Sequence, residues 1–211
     1  MFHDDERPCI LRRYLFLIRT WLHSHILLKK KFASIGTPPM VWGIWNIVVY
    51  GPNIHLGKRV LIVGADGFRT ALTTLRWGEH EGSIEVGNDV LIMNGVRVSS
   101  ASRIVIGDET MLANFCYLMD ADWHDIYDRT SVPGKTRPII LGKNVWVGDH
   151  AIVCKGVTVG DNSIIGAGSV VRENVPPNVI VAGNPARVVR ELDPDKIRLK
   201  SERRKAMDSI S

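Results

Sequence analysis

The chain has 211 residues, of which 45% are hydrophobic, and a formal net charge of +5. That length suits a single domain with appendages and suffices to bury a core. Three cysteines at scattered spacing (Cys9, Cys116 and Cys154) argue against a disulfide framework or a zinc–cysteine cluster and favour a reducing compartment. The positive charge gathers in residues 29–31 and 198–205, where it reads as solvated surface, with attraction to anionic ligands or membrane lipids as the alternative; no nucleic-acid partner is expected.

The chain opens with Asp4, Asp5 and Glu6. The apolar run 15–18 lies between Arg13 and Arg19 and is too short for a signal core or a membrane span, so a cytoplasmic protein is expected. Residues 8–32 carry Leu11, Leu15, Ile18 and Leu22 on one stripe, which predicts an amphipathic helix within an N-terminal cap, 1–40. Its expected role is to close one end of a repeat domain. A basic face and Trp21 leave a peripheral membrane contact as a less favoured role. Gly36, Pro38 and Pro39 then interrupt the chain.

From residue 44 to 69 a strand signal appears irregularly, with Leu56, Gly57 and Val60 its best-formed part, and 70–83 reads as an excursion or irregular coil. A regular frame begins at Val86 and runs through Ile92 and Val98 to Ile104, slips by two residues to Ile106, and continues through Leu112 and Leu118. The period fails over the polar segment 120–138 and returns from 141 to 176 as six hexads. Their leading residues are Leu141, Val147, Val153, Val159, Ile165 and Val171, and small or β-branched residues follow four positions later. A period of six fits neither a helix nor a two-sided strand. It fits a chain that turns a corner every six residues, pointing aliphatic side chains into a prism and placing Gly, Asn and Asp at the corners. Asn88, Asn144 and Asn162 are expected corner residues with left-handed backbone angles. The prism is expected to span 41–190, with 191–211 a charged helix or tail.

Four phrases carry a resemblance: VGNDVLIMN at 86–94, LGKNVWVG at 141–148, VGDNSIIGAGS at 159–169 and PPNVIVAGNPAR at 176–187. Residues 84–191 resemble the hexapeptide-repeat acetyltransferases, in particular the galactoside, maltose and polysaccharide O-acetyltransferases. The likeness implies a mainly β fold, a left-handed parallel β-helix, and a homotrimer with active sites between neighbouring prisms. It also implies acetyl-CoA as co-substrate and no metal. His124 matches the loop histidine that takes a proton from the acceptor, and Asn94 matches an acceptor-contacting asparagine. Asp149, Ala167, Arg172, Arg187 and Arg190 match positions along the coenzyme's path, although the side chains at Asp149 and Arg172 differ from those of the galactoside enzymes. The N-terminal helical module of the maltose type is missing, so that substrate preference does not carry over.

Acyl transfer from a thioester needs a base for the acceptor proton and a donor for the oxyanion. A neutral imidazole, with an ordinary pKa of about 6.5, suits the first role. Asp120, Asp122 and Asp125 are each near enough in sequence to fix its tautomer, with Asp122 the first choice. The oxyanion donor is expected among the backbone amides of the corners. Trp146 should point outward, either lining the pantetheine groove or packing on a neighbour. The segments 66–83 and 120–138 are expected to shape the acceptor pocket, with Trp123, Trp77 and Tyr127 as stacking candidates. Cys116 sits at an inward small position and is expected in the core. The expected acceptor is a hydroxyl of a sugar or of a surface-polysaccharide precursor, with N-acetylation of an amino sugar as runner-up. Two rivals are a carbonic-anhydrase-like zinc enzyme, disfavoured because no histidine pair in the coils is five residues apart, and a non-catalytic assembly protein.

Overall fold

Stacked hexads can bury one side chain per prism side only if equivalent residues of successive coils pair in register. The computed structural model has this pairing. It describes Ile18 and residues 29–77, 80–130, 132–199 and 201–202. Most of the expected 8–32 helix lies outside them.

Three parallel sheets form the sides of the prism. Sheet A comprises Ser34–Ile35, Ile54–Leu56, Ser83–Val86, Arg103–Ile106, Ile139–Leu141 and Thr158–Val159. Sheet B comprises Met40–Trp42, Leu61–Val63, Leu91–Ile92, Met111–Leu112, Trp146–Val147, Ile164–Ile165 and Val179–Gly183. Sheet C comprises Ile47–Tyr50, Thr70–Thr74, Arg97–Ser100, Tyr117–Met119, Ile152–Val153 and Val170–Val171. The chain runs A to B to C in each of six coils, an arrangement consistent with the left-handed β-helix that the hexads imply. Its first strand, Ser34–Ile35, falls within the segment 1–40 expected to cap the prism.

The leading hexad residues stack directly. Leu56, Val86, Ile106, Leu141 and Val159 share sheet A, and Ile92, Leu112, Val147, Ile165 and Val181 share sheet B. All belong to one buried cluster. Each such burial contributes about 1.5–3 kcal/mol relative to exposure, and that sum, rather than strand propensity, holds two-residue strands together.

The stretch 70–83, read as irregular, contains a five-residue strand, Thr70–Thr74, paired on both edges. Its inward positions include Thr70 and Thr74, both buried, so the aliphatic signature is absent. The Thr70 hydroxyl donates to the Val63 carbonyl at 2.7 Å and that of Thr74 to the Pro52 carbonyl, which removes the cost of burying them. The true excursions are 64–69, at the corner between sheets B and C, and 75–82, at the corner between sheets C and A.

Asn144 and Asn162 have left-handed backbones, with φ of 52° and 62°, whereas in coil 3 that position belongs to Asp89 (φ 59°), not Asn88. The side chain of Asn88 instead links coils, accepting from the Lys58 N–H and donating to Asp108. The two-residue slip before Ile106 is absorbed at Ala101 and Ser102. There the wholly buried Asp120 carboxylate accepts from the Ser100 hydroxyl at 2.7 Å, the Ala101 N–H at 2.7 Å and the Ser102 N–H at 3.0 Å.

The last coil closes as an antiparallel hairpin, with Val179–Gly183 against Ala186–Glu191. Beyond it the described residues form a 3-10 turn, Pro194–Lys196, capped by Asp193, and Ser201 donates its N–H to Glu109 at 3.3 Å. Among the described residues no helix is long and apolar enough to cross a membrane.

Candidate active site

The polar interruption leaves the prism at the corner between sheets C and A and returns antiparallel to itself. Arg137 N–H donates to the Asp120 carbonyl, Asp122 N–H to that of Lys135 and Gly134 N–H to that of Asp122, at 2.8, 3.0 and 2.8 Å. Beyond this stem the carboxylates build turns. Asp125 accepts from the N–H groups of Tyr127 and Asp128, which hold its carboxyl below the usual carboxylate range, and Asp128 accepts from the N–H and hydroxyl of Thr130.

His124 sits at the end of the stem with its ring exposed. Its Nδ1 lies 2.7 Å from the Arg129 carbonyl oxygen. A carbonyl only accepts, so Nδ1 carries the proton and Nε2 presents a bare lone pair. The orienting group is therefore a backbone carbonyl rather than an aspartate. Asp120 is committed to the coil below, Asp125 to its own turn, and Asp122, the first choice from sequence, pairs with Lys155 of coil 5 at 2.5 Å. Gly134 sets the backbone position of His124, because a Cβ there would stand 2.5 Å from the His124 carbonyl oxygen.

The Lys155–Asp122 pair joins the loop to the following coil. Replacing Lys155 with Ala is expected to lower activity up to about fivefold, the worth of a partly exposed pair near 1 kcal/mol. Lys155→Arg should restore most of the loss. Steady-state kinetics on the three proteins checks this, and a full loss of activity in Lys155→Arg would count against a simple tether.

At the corner between sheets B and C, Asn94, Asn114, Asp149 and Ala167 occupy one column on consecutive coils. Phe115 N–H donates to the Asn94 carbonyl, His150 N–H to that of Asn114 and Gly168 N–H to that of Asp149. Asn114 Nδ2 also donates to the Asp149 carboxylate at 3.0 Å. Trp146 points outward beside this column, 46% exposed. Arg187 and Arg190 lie exposed on the outer hairpin strand, and Arg187 approaches Glu173 at 3.4 Å. Arg172 is exposed at the other corner, next to Glu173.

Asp149 and Ala167 thus share one edge of the prism, with Asn94 two coils below Asp149. His124, Trp123 and Asp122 lie on a different edge, separated from Asn94 by the strands of sheet C. A single chain does not bring His124 and Asn94 together. Cys116 is buried in the core, and burial pushes its thiol up to about 12; burial also raises the half-buried Cys154 thiol. Neither is a thiolate nucleophile at neutral pH. Among the described residues no three His, Cys, Asp or Glu side chains are grouped so that they could hold a metal ion.

Three features of the site were not foreseen from sequence: the Arg129 carbonyl, Lys155 and Gly134. Of these only the glycine, following Pro133 in a polar loop, left any local signal.

Residues 138–173 match the family model described as bacterial transferase hexapeptide (six repeats). The galactoside O-acetyltransferase of Escherichia coli (strain K12) is 33% identical over 178 residues, covering 81% of this chain and 70% of that protein. A galactoside acetyltransferase structure in complex with coenzyme A superposes with a TM-score of 0.50 at 27% identity, covering 92% of this chain and 87% of the other. A maltose O-acetyltransferase from Clostridium difficile 630 gives 0.51 at 25% identity, covering 91% and 92%. With these likenesses added to the prism and its loop, the chain belongs to the hexapeptide-repeat acetyltransferase superfamily and is an acetyltransferase similar to the galactoside and maltose O-acetyltransferases.

Proposed function

We propose that this protein transfers the acetyl group of acetyl-CoA to a hydroxyl of a sugar or of a surface-polysaccharide precursor, with His124 as general base. The observation that carries the reading is the fixed tautomer of His124, with Nδ1–H on the Arg129 carbonyl and Nε2 free to accept a proton. Nε2 takes the acceptor's hydroxyl proton as that oxygen attacks the thioester carbonyl carbon. When the tetrahedral adduct collapses, the C–S bond breaks and the imidazolium returns the proton to the departing thiolate.

The separation of His124 from Asn94 within one chain supports a homotrimer in which the loop of one copy meets the B–C corner of the next. The loop tip suits such packing: Ile126 and Tyr127 are strongly exposed there, Tyr127 at 91%. Asn94 would then orient the acceptor and Trp123 would flank it. Acetyl-CoA would run along the corner past Trp146, Asp149 and Ala167, with its phosphates toward Arg187 and Arg190 and with Arg172 nearby. Guanidinium groups suit that task.

Arg187→Ala is expected to weaken acetyl-CoA binding about tenfold, the worth of one charge-assisted hydrogen bond, while kcat at saturation changes little. Calorimetric titration with acetyl-CoA checks it, and a loss confined to kcat would remove the phosphate role. The function itself is tested by thiol release from acetyl-CoA against a panel of sugars and amino sugars. Release with hydroxyl acceptors is expected, whereas release with amino sugars alone would overturn O-acetylation.

A further inference from the structure

The corner between sheets B and C carries aromatic rings on coils 1, 2, 4 and 5. Trp45 stands on coil 1, 68% exposed, and Phe68 on coil 2, 51% exposed. Phe115 follows on coil 4 and His150 on coil 5. Phe68 meets Phe115 edge-to-face with ring centroids 5.0 Å apart, and His150 lies against the other side of Phe115 at 4.9 Å. The turns that carry Trp45 and Phe68 are tied together, since Asn46 Nδ2 donates to the Asp66 carboxylate at 2.8 Å.

Two features of this stripe run against the habits of a corner. Phe115 and His150 hold positive φ, 59° and 56°, at a position where coils 3 and 6 place Gly95 and Gly168. A bulky residue such as Phe115 is uncommon at this angle. Coil 3 also gives way to the ring: a Cβ on Gly95 would stand 2.3 Å from Phe115. The Phe115 ring therefore covers two coils and bridges the gap between Phe68 and His150.

Polar groups accompany the rings. Asn94, Asn114 and Asp66 lie beside them on the same edge. Flat apolar surfaces with a few amide and carboxylate groups alongside are what a carbohydrate needs, because one face of a sugar ring is a plane of C–H bonds and its rim is hydroxyl. The stripe continues the column of Asn94, Asp149 and Ala167 in the direction away from the coenzyme arginines. Each coil advances it by about 4.8 Å, roughly the length of one sugar unit.

We propose that the acceptor is an oligosaccharide of several units that lies lengthwise along this edge. The unit to be acetylated sits at Asn94 over Phe115, and the following units stack on Phe68 and Trp45. This rests on the sugar-acetyltransferase reading above and adds to it that the acceptor is a chain.

Two oligomer series of one to four units, glucose to maltotetraose and β1,4-linked N-acetylglucosamine, serve as acceptors for wild type, Trp45→Ala and Phe68→Ala. For at least one series, wild-type kcat/KM should rise about tenfold or more from one unit to four. Trp45→Ala should abolish that gain while leaving the rate on the single sugar unchanged, and Phe68→Ala should also abolish it. A wild-type rate indifferent to length overturns the proposal. So does a Trp45→Ala defect equal on every length, or one accompanied by a change of mass in solution, which would make the stripe a contact between copies. Should no acceptor release thiol, tetrasaccharide binding measured by calorimetry separates the two claims. Binding lost in Trp45→Ala keeps the stripe and removes the acetyl-acceptor reading; no binding removes both.

Discussion

His124→Ala is expected to lower kcat by roughly 10²–10⁴-fold, the range that general-base catalysis supplies, while leaving acetyl-CoA affinity within about twofold of wild type. In the proposed mechanism the ring takes the acceptor proton and stands apart from the corner assigned to the coenzyme, so the loss should fall on turnover alone. His124→Asn makes the test sharper. The Asn Nδ2 takes the place of Nδ1, so it can still donate to the Arg129 carbonyl and keep the loop in position. Nothing replaces Nε2, and the variant should be as inactive as the alanine one. If His124→Asn keeps more than a tenth of wild-type turnover, His124 holds the loop and another group takes the proton. Single-turnover thiol release, with calorimetric binding of acetyl-CoA alongside, gives both readouts.

Asp120→Ala is expected to cost about 3 kcal/mol, since it strands two buried donors (the Ser100 hydroxyl and Ala101 N–H), each worth about 1–3 kcal/mol when unpaired, together with the part-buried Ser102 N–H. In a chain of this length that lowers the midpoint of thermal unfolding by about 6–12 °C. Asp120→Asn should recover little, because its amide group would point a donor at donors. Calorimetry at one scan rate measures both variants. A shift below about 2 °C for Asp120→Ala would mean that the corner repacks with water and that the carboxylate is not what accommodates the two extra residues. The loop stem hangs from the same residue through the Arg137 N–H and the Asp120 carbonyl. Asp120→Ala should therefore also lower kcat at temperatures where the prism is still folded.

The prism was legible because its rule is local. A strand of two or three residues shows one side chain inward per side, and the corners demand residues that accept left-handed angles. The hexads from Leu141 to Val171, the inward Cys116 and the outward Trp146 all follow from that spacing. The sheet C strand of coil 2 was not legible because Thr70 and Thr74 face inward, their hydroxyls satisfied by carbonyls at Val63 and Pro52 that no hexad pattern announces. Asn88 was misplaced for a related reason. Both Asn88 and Asp89 suit a corner, and the register puts the left-handed angle on the second.

In the loop, sequence singles out His124 as the candidate base but not the partners of its ring. A lone histidine inside the long polar interruption stands out by position. The three candidate aspartates, Asp120, Asp122 and Asp125, are equivalent on paper, and the structure gives each a different task. Asp120 is taken by the coil before the loop and Asp122 by Lys155 of the coil after it, while Asp125 bonds within its own turn. The ring is left to a backbone carbonyl, which no residue type encodes.

The amino-acid order alone therefore determined the period, the inward stacks, the corner chemistry and the long polar break at 120–138, since each arises between residues a few positions apart. The tertiary fold decided what those residues meet. It separated His124 and Asn94 onto different edges, brought Lys155 to Asp122, and aligned Trp45, Phe68, Phe115 and His150 along one edge. These pairings link successive coils, so they depend on how many residues each coil and excursion consumes. Chain spacing alone does not carry that quantity until the strands are in register.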